Sequence, residues 1–309
     1  MVDMQVKIGS LTLKNPILTA SGTFGYGTEY APYFDISRLG GVVTKTITLE
    51  PRQGNPMPRI AETPGGMLNS IGLANVGVER FLNEKLPALS DLNTAVIVNV
   101  AGNSVEEYRD VVATVDSHPR VDGYEVNISC PNVKKGGLAF GTDPAATCDV
   151  VSAIRKVTAK PVIVKLTPNV TDIVTVAKAA QNSGADALSL INTVLGMAIN
   201  IYTGKPRLAR GVGGLSGPAI KPVAIAKVYA VAQAVSIPVV GLGGIMTWQD
   251  AVEFMMAGAD AVQIGTLNFV QPDGAIKVLE GLDAFCQEKG LRSVRELTGT
   301  VRVESSSSL

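Results

Sequence analysis

Short apolar runs rich in β-branched residues recur along the chain, and most are followed by a segment with helical spacing of its apolar positions. This alternation is typical of parallel βα units. The predicted strands are Pro16–Ala20, Gly41–Thr44, Ala95–Val100, Gly123–Ile128, Pro161–Leu166, Ala185–Ile191, Ile237–Leu242 and Asp260–Ile264. The predicted helices are Ser104–Ser117, Pro144–Thr158, Thr171–Ser183, Pro218–Val235, Thr247–Ala257 and Asp273–Lys289.

Eight βα units in a chain of 309 residues predict one TIM (β/α)8 barrel of the α/β class. A doubly wound open sheet is disfavoured because no G-x-G-x-x-G turn follows the first strand. Two long segments, Ile47–Glu79 and Asn192–Gly217, interrupt the alternation, and we expect extended irregular loops that cover the top of the barrel. We expect residues 1–303 to form one domain and the serine-rich tail, residues 304–309, to be disordered.

The composition narrows the classes of function. Lys and Arg together number 27, as do Asp and Glu, so the formal net charge is zero and binding to nucleic acid or anionic membranes through bulk charge is excluded. The three cysteines lie far apart and offer neither a disulfide framework nor a CxxC metal pair. The uncharged segment Val228–Gln249 contains proline and glycines, which disfavours a membrane span. Without a targeting signal, a reducing cytoplasm is the expected setting.

Polar residues or glycines follow nearly every predicted strand, at the end where TIM-barrel sites lie. Any one of them could simply satisfy a backbone group, but a series along eight strands predicts a functional site. The series comprises Ser21, Lys45, Thr46, Asn99, Asn127, Ser129, Cys130, Lys165, Asn192, Thr193, Gly243, Gly244, Gly265 and Thr266.

Glycine clusters follow the last two predicted strands, at Gly241–Ile245 and Ile264–Thr266, and a third, Gly213–Pro218, opens the preceding helix. Glycines let backbone N–H groups approach a phosphate, and the loops after strands seven and eight are the usual phosphate site of a TIM barrel. The clusters therefore predict a phosphorylated ligand, although tight βα turns alone would give the same pattern.

Cys130 belongs to the motif Asn127–Asn132, which ends the fourth predicted strand and leads into a glycine-rich segment, Lys134–Gly141. Most free cysteines are small packing residues, which suits Cys148 and Cys286 in helical stretches, whereas a thiol at a strand end can act as a base or nucleophile. The only histidine, His118, precedes the fourth strand at the opposite end of the barrel, so no Cys–His or Ser–His pair is expected. Few carboxylates lie at strand ends, which disfavours two-carboxylate hydrolysis.

Two lysines and four amides complete the predicted site. Lys45 and Lys165 close buried strands and point into the mouth, where they could hold anions or stabilise negative charge on a cofactor ring. The amides both donate and accept hydrogen bonds, which suits a flat heterocycle with alternating C=O and N–H groups. They belong to Asn69, Asn99, Asn127 and Asn192.

Five motifs carry a resemblance to a known family over essentially the whole chain. They are Gly66–Leu73 (GMLNSIGL), Asn127–Val133 (NISCPNV), Val164–Asn169 (VKLTPN), Ile191–Thr193 (INT) and Gly213–Pro218 (GGLSGP). In this order they resemble the class 1 dihydroorotate dehydrogenases, and within them most nearly the NAD-linked type B catalytic subunit. The resemblance implies a TIM barrel that binds FMN and oxidises (S)-dihydroorotate to orotate in de novo pyrimidine (UMP) synthesis.

The family's site residues carry over to matching positions of this chain. The resemblance implies that Cys130 is the base that removes a proton from C5 as hydride leaves C6 for flavin N5. Residues implied to hold the substrate are Lys45, Asn69, Ser70, Ile71, Gly72, Leu73, Asn127, Asn192 and Thr193. Residues implied to hold FMN are Ser21, Lys45, Thr46, Asn99, Asn127, Lys165, Ile191, Gly217, Gly243, Gly244, Gly265 and Thr266.

Three alternatives stay open at this point. A type A relative would use fumarate at the same face, and the two types differ at positions spread over the chain. A Schiff-base aldolase would use Lys165 or Lys45 as a nucleophile on a phosphorylated sugar. A barrel that binds a phosphorylated ligand without catalysis is the third.

The resemblance also implies a partner. The sequence offers no second flavin domain, no dinucleotide fingerprint and no cysteine cluster for an iron–sulfur centre. If NAD is the final acceptor, another polypeptide must relay the electrons. The related proteins imply a subunit that carries FAD and a [2Fe–2S] cluster, in an α2β2 heterotetramer.

Overall fold

A closed barrel of eight parallel strands forms the centre of the fold. The computed structural model describes residues 2–129 and 140–302. The barrel strands are β1 (Ile17–Thr19), β2 (Gly41–Val43), β3 (Ala95–Val100), β4 (Gly123–Asn127), β5 (Val162–Leu166), β6 (Ala187–Leu190), β7 (Val239–Leu242) and β8 (Ala261–Ile264). Pairing of β8 with β1 closes the barrel, so the predicted TIM barrel is confirmed.

The described residues contain eight helices, and all but the two shortest, Gly77–Arg80 and Leu267–Val270, lie where the sequence predicts them. They are α1 (Gly77–Arg80), α2 (Val105–Val115), α3 (Pro144–Arg155), α4 (Ile173–Asn182), α5 (Lys221–Ala232), α6 (Trp248–Met256), α7 (Leu267–Val270) and α8 (Gly274–Glu288). Short 3-10 turns cover Ile36–Arg38, Pro87–Leu89, Phe140–Thr142, Pro218–Ile220 and Val294–Leu297, and a π turn covers Phe81–Lys85. Side-chain caps fix where helices begin, since Ser104 accepts from Glu107 N–H and Asp172 accepts from Val174 N–H.

Two aspartates join neighbouring strands at the end of the barrel away from the predicted site. The carboxylate of Asp186, just before β6, accepts from the N–H of Val162 at 2.8 Å. Asp260, just before β8, accepts from the N–H of Val239 at 2.9 Å. These aspartates end two near-identical tetrapeptides, Ser183–Asp186 (SGAD) and Ala257–Asp260 (AGAD), which therefore have the same structural role. The opposite end of the strands is left for the site.

The two long segments interrupt the βα alternation as predicted, but they are not irregular, because parts of them pair with each other. Ile60–Thr63 pairs with Gly66–Asn69, which pairs with Val212–Ser216. Val212–Ser216 pairs in turn with Val194–Met197, which completes a four-stranded antiparallel sheet. This sheet, which we call the covering sheet, brings together parts of the chain that lie far apart in sequence. Its backbone hydrogen bonds order segments whose local amino-acid composition does not indicate a regular secondary structure.

Two smaller hairpins account for the remaining described strands. Val6–Ile8 pairs with Leu11–Leu13, and Ile199–Asn200 pairs with Lys205–Pro206. Cys130 and residues 304–309 lie outside the described residues. Within the described ranges, the helices are too short or too polar for any of them to cross a membrane.

Candidate active site

A polar cluster fills the interior of the barrel just below the strand ends. The ammonium of Lys165, on β5, donates to Ser21 Oγ at 3.3 Å and to Glu125 Oε2 at 3.2 Å. Asn99, near the end of β3, donates to the same Glu125 oxygen at 2.6 Å. The structure thus brings together three of the residues predicted to hold FMN, and it does so through a carboxylate that the prediction did not include.

The sequence analysis did not select three members of this cluster, Glu125, Ser189 and Gln263. Glu125 lies on β4 and is fully buried. Its second oxygen accepts from Ser189 Oγ at 2.8 Å and from Gln263 Nε2. The signal was present, because a strand alternates its faces and Glu125 therefore shares a face with the predicted residue Asn127.

A second network surrounds the end of β4, at the residue before Cys130. The side-chain oxygen of Asn127 accepts from Ser129 N–H at 3.2 Å and from the Asn192 amide at 3.3 Å. The Asn192 amide also donates to Ser129 Oγ at 2.9 Å, and its oxygen accepts from Thr193 N–H at 2.8 Å. Asn127, Asn192 and Thr193, all predicted to hold substrate, therefore lie together. They fix the position at which the chain enters the Cys130 segment.

The covering sheet connects Asn69 to this network. The Asn69 amide donates to the carbonyl of Gly214 at 3.3 Å. Gly214 packs so closely on Thr193 that an added Cβ would lie 2.0 Å from Thr193 Oγ1. Sheet pairing thus places Asn69 beside the residues that follow β6, although it is far from them in sequence.

The segment from Ser70 to Leu73 is held from the outside by a neighbouring loop. Ser70 N–H donates to Arg59 O at 2.7 Å, and the Asn55 amide donates to Ser70 Oγ at 2.9 Å. Asn55 N–H donates to Ile71 O at 3.0 Å. Leu73 has φ 55°, an uncommon conformation for a residue with a side chain. The adjacent Gly72, at φ 72°, is packed against Asn55. The contacts of Asn55 and Arg59 were not predicted.

Gly217, which follows Val212–Ser216 of the covering sheet, meets residues at the ends of β7 and β8 in one place, which we call the glycine cradle. It consists of Gly217, Gly243, Gly244 and Thr266. A Cβ on Gly244 would lie 2.9 Å from Gly217 O, and one on Gly217 would lie 3.6 Å from Thr266 Cγ2. Ile191 borders the cradle, 3.3 Å from a Cβ placed on Gly243. Glycines carry no side chain that would hinder the approach of an anion to their backbone N–H groups, so this composition is typical of a phosphate site.

Lys45, Thr46 and Gly265 have fewer links to the rest. Lys45 and Thr46 follow β2, and within residues 2–129 and 140–302 neither side chain is hydrogen-bonded to another predicted site residue. Burial lowers the pKa of the Lys45 ammonium, Glu29 partly offsets this lowering, and Arg59 adds to it. Gly265, after β8, faces Ala20 at the end of β1.

The fold and these residues define a (β/α)8 barrel with a glycine cradle, an amide-rich mouth and a buried lysine. A family model described as dihydroorotate dehydrogenase matches residues 3–286. The chain therefore belongs to the dihydroorotate dehydrogenase family, and the resemblance read from its motifs is confirmed.

The chain is also similar, along nearly all of its length, to proteins named dihydroorotate dehydrogenase B (NAD(+)), catalytic subunit. It is 56% identical over 299 residues to the one from Geotalea uraniireducens, covering 97% of this chain and 98% of that protein. It is 54% identical over 301 residues to that of Geotalea daltonii, covering 97% and 99%. For that of Parabacteroides distasonis the identity is 54% over 304 residues, covering 98% and 100%.

Proposed function

We propose that this protein oxidises (S)-dihydroorotate to orotate with bound FMN, as the catalytic subunit of an NAD-linked dihydroorotate dehydrogenase of pyrimidine synthesis. The observation that carries the proposal is its identity, above one half, to proteins of that name over nearly their full length. The type A, aldolase and ligand-binding alternatives have no comparable support. We place the reaction in a reducing cytoplasm, where a free thiol base persists.

The residues fit FMN on two grounds. The glycines assigned to the phosphate carry no side chain that would hinder its approach to their backbone N–H groups, and beside Gly265 the nearest described atom to an added Cβ is Ala20 Cβ at 3.7 Å, which leaves open space. Asn99 Oδ1 is buried and has no hydrogen-bond partner among the described residues, and such an acceptor suits a ring N–H. We therefore assign FMN to the residues named for it above, with Lys165 and Asn99 at the pyrimidine edge of the ring. Bound FMN supplies the hydride acceptor.

The chain's own residues orient the substrate and take a proton. We assign Cys130 as the base that receives the C5 proton, because a thiol, with an ordinary pKa of about 8.5, accepts a proton near neutrality far better than a hydroxyl does. Asn127 and Asn192 anchor Ser129, the residue before Cys130, and so fix the start of the segment that carries the thiol. Asn69, Thr193 and the segment Ser70–Leu73 cover the substrate from the side of the covering sheet.

The colour of the purified protein tests this function. We expect a yellow protein whose flavin absorbance bleaches when dihydroorotate is added under anaerobic conditions, with release of orotate. Borohydride treatment with phosphorylated sugars should give no covalent adduct on Lys165 or Lys45. A colourless protein that borohydride traps would support the aldolase instead.

Orotate binding should depend on the protonation of Lys45. The orotate carboxylate prefers a charged ammonium, so affinity should fall about tenfold per pH unit above the pKa of Lys45. Because burial lowers that pKa, the decline should begin at a lower pH than an ordinary lysine would give. Titrations followed by the flavin spectrum measure this. Lys45→Arg stays charged throughout and is the control, and identical pH profiles for the two proteins would contradict the role.

For the electron-transfer partner we propose a subunit with FAD and a [2Fe–2S] cluster, joined to two catalytic chains in an α2β2 heterotetramer. The proposal is supported by the words "catalytic subunit" in the relatives' names and by the resemblance. We expect the isolated chain to reduce a dye acceptor with dihydroorotate but not NAD or fumarate. Efficient reduction of NAD by this chain alone would refute the relay, and efficient reduction of fumarate would indicate type A.

A further inference from the structure

One carboxylate lies inside the barrel, where the site described above assigns it no task. Glu125 is the third residue of β4, and none of its surface is exposed to solvent. Removing a carboxylate from water costs several kcal/mol unless it is paired and fully hydrogen-bonded. A neutral apolar residue would fill this position at lower cost, so the charge calls for an explanation.

Glu125 has a complete set of donors. Oε2 accepts from Asn99 Nδ2 at 2.6 Å and from the Lys165 ammonium at 3.2 Å. Oε1 accepts from Ser189 Oγ at 2.8 Å and from Gln263 Nε2. An ionised carboxylate has about four acceptor positions, and here four donors from β3, β5, β6 and β8 occupy them. The carboxylate is the one acceptor that these donors share.

These bonds decide what Asn99 and Lys165 present to a ligand. Because the NH2 group of Asn99 points to Glu125, its Oδ1 is left buried with no partner in the part of the chain that the structure describes. Lys165 uses one N–H for Glu125 and one for Ser21 Oγ, so one of its three donors is left. An acceptor beside a single donor matches a ring with adjacent N–H and C=O groups.

The pair also sets the local charge. Lys165 and Glu125 together carry no net charge, and both are almost fully buried, so water screens neither of them well. A lysine alone at the pyrimidine edge would favour the anionic reduced flavin more strongly than the pair does. Glu125 therefore opposes the effect of Lys165 on the reduction potential.

We propose that Glu125 is a positioning residue that orients Lys165 and Asn99 toward the pyrimidine ring of FMN and lowers the FMN reduction potential by balancing the Lys165 charge. The inference rests on the proposed binding of FMN. It goes beyond that proposal because it assigns the electrostatic setting of the site to a residue whose carboxylate oxygens are occupied by four protein donors.

Reduction potentials of the FMN-loaded chain, measured by anaerobic equilibration with reference dyes, test the inference. Glu125→Gln should raise the potential and Lys165→Met should lower it, each changing the ratio of reduced to oxidised flavin at least tenfold, or about 30 mV for two electrons. The double variant should return close to wild type, because it removes both charges. Ser189→Ala, which removes an uncharged donor to the same carboxylate, is the matched control and should keep the wild-type potential.

Several outcomes would overturn the inference. An unchanged potential in FMN-loaded Glu125→Gln would do so, as would shifts of both single variants in the same direction. If Glu125→Gln fails to fold, the double variant decides, since replacing both partners of a buried pair is often tolerated. A double variant with the potential of Lys165→Met would then contradict the role. A wild-type chain that takes up no FMN would refute the proposed function itself, a result distinct from unchanged potentials in FMN-loaded protein.

Discussion

Replacing Cys130 with serine is expected to slow reduction of the bound flavin by dihydroorotate about 10²–10⁴-fold, the usual contribution of a general base. A free thiol titrates near pH 8.5, whereas a serine hydroxyl has no comparable pKa and accepts a proton poorly near neutrality. Binding of FMN should persist, because the residues assigned to the cofactor lie on other strands or, like Asn127, keep their side chains. Stopped-flow bleaching of the flavin measures the rate.

Cys148→Ser is the matched control for this substitution. Cys148 lies on α3, half-buried, with its Sγ 3.6 Å from the carbonyl of Ala179 on α4. It contacts a neighbouring helix rather than the barrel mouth, so its replacement should leave the rate of flavin reduction unchanged. Equal rates for wild type and Cys130→Ser would remove Cys130 as the base.

The barrel could be predicted from the sequence because its determinants are local. The strand Val162–Leu166 is buried at all five positions, as a strand covered on both faces must be, and its apolar run is visible without the structure. Asp172 is the N-cap of the helix that begins at Ile173, and an aspartate before an apolar periodic segment is a helix-start signal that is visible in the sequence. Repetition of such signals eight times leaves few arrangements other than a closed barrel.

The covering sheet could not be predicted in the same way. Val212–Ser216 contains two glycines, which strands generally disfavour, and its partner Gly66–Asn69 is far away in sequence. Runs of four or five residues carry too little pattern to distinguish a strand from a loop. Only the pairing itself, which depends on how the barrel brings the two segments together, makes them strands.

The site shows the same division. Lys165, Asn99 and Asn192 could be selected because parallel strands all end at the same edge of the barrel. Glu125 was missed because candidates were sought at the strand ends, whereas Glu125 lies two residues before the end of β4, inside a buried strand. The role of Asn55, which holds Ser70 and Ile71 from outside, depends on a loop contact that no local pattern encodes.

The second large effect is expected from replacing Gly217, which lies where the covering sheet meets the glycine cradle. Gly217 has φ 95° and ψ −172°, a conformation essentially restricted to glycine. A Cβ at this position would lie 2.7 Å from Gly66 Cα, and backbone cannot move aside as a flexible side chain can. Gly204 also has a positive φ, 65°, but a Cβ there would meet nothing within 4 Å.

Gly217→Ala is therefore expected to lower the free energy of unfolding by about 2–5 kcal/mol, from backbone strain together with the clash. To relieve the clash, the backbone around residue 217 must move, and this movement should distort the glycine cradle. We therefore expect the purified variant to retain much less FMN than wild type. Gly204→Ala is the matched control, with a loss of about 1 kcal/mol from its left-handed backbone alone and full FMN content. Urea denaturation and flavin absorbance per protein chain measure the two effects. Equal losses of stability in the two variants, or full FMN content in Gly217→Ala, would contradict the assignment of Gly217 to the cradle.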